Sequence, residues 1–167
     1  MSDNSDGGHT PLILSQDEVR AIDAAAIESL GMSGLLLMEN AARGVSDQLQ
    51  SEGADGRVVI VCGPGNNGGD GLAVARQRAA CGLSSRVILV SAGKSLSADA
   101  KSNLEFLTRS GVPVEVSENS DDAAMLLNDL TEDDWIVESL LGTGVRGGLR
   151  APFDTWVSAI NDSAARV

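Results

Sequence analysis

Apolar residues recur with two periods along this chain, first helical and then strand-like. Ser15-Gln16-Asp17-Glu18 reads as a capping box, with Ser15 accepting from the third helical N–H and Glu18 reaching back. The helix it opens places Val19, Ile22, Ala26 and Leu30 on one face, and Gly31 ends it. Ser33 is placed to cap a second helix that runs to about Gln50, with Met38, Ala41, Val45 and Leu49 as its inner stripe. Gly53 to Gly56 is a turn. The run Val58-Val59-Ile60-Val61-Cys62 is apolar throughout, as in a parallel strand covered on both faces. Beyond it a helical pattern (Leu72, Ala75, Ala79 facing in) is followed by a strand, Val87 to Val90. A helix on Ala100, Leu104 and Leu107 precedes a third strand, Val112 to Val116. A short helix on Ala123, Leu127 and Leu130 precedes a fourth, Trp135 to Val137. Pro152 stands at the first helical position of a final helix, with Phe153, Trp156 and Ile160 facing the core.

Short buried strands alternating with helices define an α/β chain with a doubly wound, mostly parallel sheet. The expected architecture is a Rossmann-like three-layer α/β/α sandwich with two leading helices. Residues 1–14 read as a flexible leader and residues 15–167 as one domain, since 167 residues cannot hold a second. The chain stops at Val167, directly after a helix, where the alternation leads one to expect a further strand.

Composition narrows the chemistry. Aromatic residues make up only 2%, so the core is built from Leu, Val, Ile and Ala. The single histidine, His9, lies in the leader, which removes His-based triads and His-ligated zinc. With 24 acidic against 12 basic residues, nucleic acid is not an expected partner. No stretch is long and apolar enough to span a bilayer, and no signal peptide opens the chain, so a cytoplasmic location is expected. Cys62 and Cys81 fit buried free thiols. Arg76, Arg78 and Arg86 read as a solvated basic face.

The densest chemistry lies in Gly63-Pro64-Gly65-Asn66-Asn67-Gly68-Gly69-Asp70-Gly71, between the first strand and its helix. Ligands bind there in doubly wound sheets, and a helix N-terminus offers N–H groups to an anion. The segment is not a P-loop, because no Gly-Lys-Ser/Thr follows. It matches the dinucleotide pattern Gly63-x-Gly65-x-x-Gly68. The acid expected about 20 residues on is replaced by Val90-Ser91-Ala92-Gly93. A tight turn alone accounts for glycines, but not for two Asn and an Asp among them.

The whole string resembles the signature loop of the YjeF N-terminal domain family, the NAD(P)HX epimerases. Leu37-Met38-Glu39-Asn40-Ala41-Ala42 and Ile136-Val137-Glu138-Ser139-Leu140-Leu141-Gly142-Thr143-Gly144 are similar to two further family motifs in the same order. The resemblance implies an isomerase that interconverts the R and S epimers of hydrated NADH and NADPH (NADHX and NADPHX). It implies that substrate lies against Asn66, Asn67, Gly68, Gly69 and Asp70, and against Gly142, Thr143, Gly144, Val145, Arg146, Gly147 and Gly148. It implies a potassium ion (K+) held by Asn67 and Glu138, oxygen donors suited to a hard monovalent cation. It also implies a homodimer and a dehydratase, fused or separate. Epimerisation is expected to proceed by loss and return of water through a ring cation, with a carboxylic acid acting as acid and then base.

Two departures stand out. The family carries Asp where this chain has Glu138, which reads equally well as a strand-end carboxylate capping the next loop. The family's following strand ends in Asp-Ile-Pro-Ser-Gly, with a substrate-contacting aspartate and an ion-binding serine. The expectation is therefore a chain that is a fragment of a roughly 220–240-residue domain. Two other readings stay open: a non-catalytic ligand-binding or dimerisation module, and a Rossmann dehydrogenase half-domain, the latter weakened by the missing ribose-binding acid.

Overall fold

The computed structural model describes residues 13–54 and 56–167. Most of the expected leader, His9 included, therefore lies outside the described residues. Contacts divide the chain into two units that meet between Ser33 and Gly34.

The first unit holds α1 (Gln16–Glu28). Its capping box forms as read: the Ser15 N–H donates to Glu18 at 2.7 Å, and the Glu18 N–H donates to the Ser15 hydroxyl at 3.4 Å. Gly31, at φ +69°, turns the chain out of the helix, and the Met32 N–H donates to the Ala26 carbonyl. No α1 residue is enclosed, and Val19, Ile22 and Leu30 are exposed.

The second unit holds α2 (Gly34–Ser51), β1 (Val58–Cys62), α3 (Asn66–Ala80), β2 (Arg86–Val90), α4 (Ala98–Arg109), β3 (Val114–Ser117), α5 (Asp122–Leu127), β4 (Trp135–Ser139) and α6 (Phe153–Asp162). The four strands pair in the order β3-β2-β1-β4, all parallel. β1 is central and buried at every position, which explains its unbroken apolar run. Alternate β1 side chains supply two cores. Val58, Ile60 and Cys62 pack with Met38, Leu49, Leu72, Val74 and Leu107 under α2, α3 and α4. Val59 and Val61 pack with Ala123, Leu127, Phe153, Trp156 and Ile160 under α5 and α6. This is the expected three-layer sandwich.

The topology places the site. From β1 the chain steps outward through α3 to β2 and through α4 to β3. It then crosses the opposite face through α5 and enters β4 on the other side of β1. Strand order thus reverses between β1 and β4, and ligands of doubly wound sheets bind at the carboxyl ends of such a pair. After α6 the chain returns to the outer edge of β4. There the Ile136 N–H donates to the Arg166 carbonyl at 2.7 Å, and the Arg166 guanidinium stacks on Trp135.

Several local expectations are corrected. The buried stripe of α2 is Met38, Ala42, Ser46 and Leu49, with Ala41 and Val45 exposed. The period is as read but turned by one residue, because small Ala42 and Ser46 are the pair enclosed. The arginine cluster is not one solvated face. Arg78 is 1% exposed, donating to the Ser85 hydroxyl and the Ala54 carbonyl. Arg76 pairs with Glu39, and Arg86 pairs with Glu115 at 2.7 Å. Cys62 is buried, but Cys81 is exposed because it stands at the carboxyl cap of α3. Pro152 precedes α6 as its cap rather than opening its first turn.

Candidate functional site

The site is built where β1 and β4 end side by side, with Cys62 in register with Ser139. The Gly63 N–H continues the ladder by donating to the Ser139 carbonyl at 3.0 Å. α3 then starts at once, and its first turn is pressed onto the strand ends. A Cβ at Gly68 would collide with the Gly63 carbonyl, and one at Gly71 with the Ser139 hydroxyl. These two positions admit no side chain, so they let the N-terminus of α3 approach the sheet closely.

That close approach presents the polar residues. The cap position of α3, Gly65, contributes no side-chain acceptor, which leaves the helix start suited to an external anion. Asn66 is exposed on the first turn, Asn67 and Asp70 are half-buried, and Gly68 and Gly69 are buried beneath them. The second loop reaches the same spot: a Cβ at Gly142 would stand 3.2 Å from Asn67 Cβ. Asn67 and Gly142 are therefore brought together. Residues 142–148 are exposed, Thr143, Gly144, Val145, Arg146 and Gly148 among them, and Gly147 turns the loop with φ +81°.

Glu138 is exposed at the end of β4, and its carboxylate accepts the Leu140 N–H at 2.7 Å. It therefore caps the start of the second loop. Its second carboxylate oxygen and the Asn67 amide oxygen are each a donor type that suits a hard monovalent cation. Glu39 is held by Arg76 and Gln77, farther along α3.

Two residues at the site went unread in the sequence. The Ser139 hydroxyl donates to the Val61 carbonyl at 3.0 Å and fills the space that Gly71 leaves. Its only signal was its place at a strand end before a glycine loop. Ser97 both caps α4, accepting the Ala100 N–H, and donates its own N–H to the Pro64 carbonyl at 2.9 Å. It ties the connection after β2 to the first glycine loop.

The doubly wound sheet thus brings an amide-rich helix start and a glycine loop together at its switch point. Residues 34–167 match the family described as YjeF-related protein N-terminus, and the chain belongs to that family. It is 36% identical over 154 residues to an NAD(P)H-hydrate epimerase of Pirellula staleyi, covering 92% of this chain and 68% of the relative. It is 35% identical to an NAD(P)H-hydrate epimerase of Rhodopirellula baltica, covering 88% of this chain and 59% of that one. A bifunctional NAD(P)H-hydrate repair enzyme of Thermofilum pendens is 37% identical over 90% of this chain, which spans 29% of that enzyme. The crystal structure of the yeast protein ynu0 shares the fold, with a TM-score of 0.74 and 23% identity over 93% of this chain and 68% of that one. Among the described residues no helix is long and apolar enough to cross a membrane.

Proposed function

We propose that this chain carries the substrate loops of an NAD(P)H-hydrate epimerase, which interconverts the R and S epimers of NADHX and NADPHX. The observation that carries this reading is the meeting of Asn67 with Gly142 at the β1–β4 switch point. The names of the relatives at 35–36% identity support it.

The substrate is a dinucleotide anion and the protein has a net charge of −12, so attraction must be local. The N–H groups at the start of α3 and the Arg146 guanidinium supply it. Asn66, Asn67 and Asp70 offer amide and carboxylate groups to the nicotinamide end. There a hydroxyl leaves and returns, and a positioned acid lowers that barrier. A potassium ion, when bound, would neutralise carboxylate charge and fix the Asn67 amide, with Asn67 and Glu138 as its holders. The resemblance also supports a homodimer, and the free thiols fit a reducing cytoplasm. The dehydratase would be a fused or separate partner; the bifunctional names of other relatives support a fused form.

The test is equilibration of the two hydrate epimers, followed by HPLC or NMR. The full-length protein should speed it above the spontaneous rate, and Asn67→Ala should slow it by about 10- to 100-fold. No acceleration by the protein would overturn the proposal. The ion is tested separately: potassium, and not sodium, should raise the melting temperature, and Asn67→Ala should abolish the rise.

A further inference from the structure

The turn that follows β2 lies at the same carboxyl edge of the sheet. Ser91, Ala92, Gly93 and Lys94 form a tight reverse turn, closed by the Lys94 N–H donating to the Ser91 carbonyl at 2.9 Å. Both central residues have positive φ, +51° at Ala92 and +67° at Gly93. That conformation is unfavourable for alanine, and such strain persists where the surroundings fix it, often at ligand-binding turns. Here the surroundings do fix it. The Ser91 N–H donates to the Ser117 carbonyl at 3.1 Å, and three residues after Lys94 the Ser97 N–H holds the Pro64 carbonyl of the first glycine loop. On the other side the Lys94 ammonium sits 4.9 Å from the ring centre of Phe153, the first residue of α6. A cation over a ring face is held in place without losing its charge to a carboxylate. In the same turn, the Ser91 hydroxyl is buried and has no hydrogen-bond partner among the described residues.

In doubly wound dinucleotide folds, the residue type at this position reads the adenine ribose. An acid accepts from a free 2′-hydroxyl, and a cation accommodates a 2′-phosphate. This turn holds no acid; it holds an exposed lysine and a serine. We infer that Lys94, on the strained turn after β2, is a specificity-determining residue that selects the 2′-phosphorylated dinucleotide, so that NADPHX is preferred over NADHX. The inference rests on the cofactor-hydrate reading of the site. The ammonium would donate to the 2′-phosphate as a charge-assisted hydrogen bond. An acid at the same place would repel that phosphate.

The experiment is calorimetric titration of the full chain with 2′,5′-ADP and with 5′-AMP, which differ only in the 2′-phosphate. The wild type should bind 2′,5′-ADP about tenfold more tightly, the scale of one hydrogen bond to a charged group. Lys94→Ala should bring the two affinities together while 5′-AMP binding stays as it was, and Lys94→Arg should keep most of the preference. A wild type that shows no preference, or binds neither nucleotide, overturns the inference. So does a Lys94→Ala protein that still prefers 2′,5′-ADP. Binding is read without turnover, so a failure of epimerisation counts against the proposed activity alone. Where turnover is present, Lys94→Ala should lower kcat/KM for NADPHX by the same factor and leave that for NADHX unchanged.

Discussion

Replacing Gly71 by alanine isolates what the packing of α3 onto the strand ends contributes. A Cβ there would run into the Ser139 hydroxyl and stand 2.9 Å from both Cys62 Sγ and Ser139 Cβ. Carbon atoms rest about 3.5–4.0 Å from their neighbours, so the new methyl would intrude by roughly 0.6–1.1 Å. Neither neighbour yields freely. Cys62 is 0% exposed in the central strand, and Ser139 is anchored by its hydrogen bond to the Val61 carbonyl. Overpacking of this kind costs about 1–3 kcal/mol, and this site belongs at the upper end. Losing the Ser139 hydrogen bond adds about 1 kcal/mol. The helix itself gains about 1 kcal/mol when Gly becomes Ala. The net loss is about 2–3 kcal/mol, or a fall in Tm of about 4–12 °C for a chain of this size.

The control is Gly44→Ala, in the exposed face of α2, where nothing lies within 4 Å of the new methyl. It receives the same helical gain without the collision and should be stabilised by about 0.5–1 kcal/mol. Urea unfolding at pH 7, followed by far-UV circular dichroism, reads both. The double variant Gly71→Ala with Ser139→Gly should recover part of the loss. If Gly71→Ala is as stable as the wild type or more, moving in the same direction as Gly44→Ala, the close approach is wrong. The account of the loop then fails with it.

Two further outcomes are expected. The Asp134 carboxylate accepts from Arg57 at 2.7 and 3.0 Å and from the Thr131 N–H at 2.7 Å, and the guanidinium above all holds its carboxyl well below the usual carboxylate range. The unfolded chain then binds the proton first, so this stabilisation is present above about pH 4 and is lost as pH falls further. Asp134→Asn should lower Tm at pH 7 and flatten its decline in acid; an unchanged acid slope would refute the assignment. Burial pushes the Cys62 thiol up to about 12, while Cys81 is exposed. A thiol-specific chromogenic reagent should therefore titrate one thiol in the native chain and two in denaturant, and two fast thiols in the native state would contradict the burial of β1.

What the sequence disclosed, and what it withheld, follows one physical line. The central strand was legible because a strand covered on both faces must be apolar throughout, and the run Val58 to Cys62 is too short for a buried helix. The helical faces were legible only to within a residue. Periodicity fixes the spacing of Met38 and Leu49 but not which of Ala41 or Ala42 is enclosed, since alanine suits either side. Arg78 was misread because its burial depends on partners outside its own helix, the Ser85 hydroxyl and the Ala54 carbonyl, that no helical periodicity announces. The glycine loop combines both cases. Its glycines looked like part of a ligand signature, yet Gly68 and Gly71 are required by the packing of α3 on the sheet whether or not anything binds. The residues that packing does not explain are Asn66, Asn67 and Asp70, which the same turn holds at the surface or half-buried, Asn67 beside Gly142. The chemical reading therefore rests on three polar side chains rather than on nine residues. A domain that kept the glycines and lost those three would keep this fold without this site.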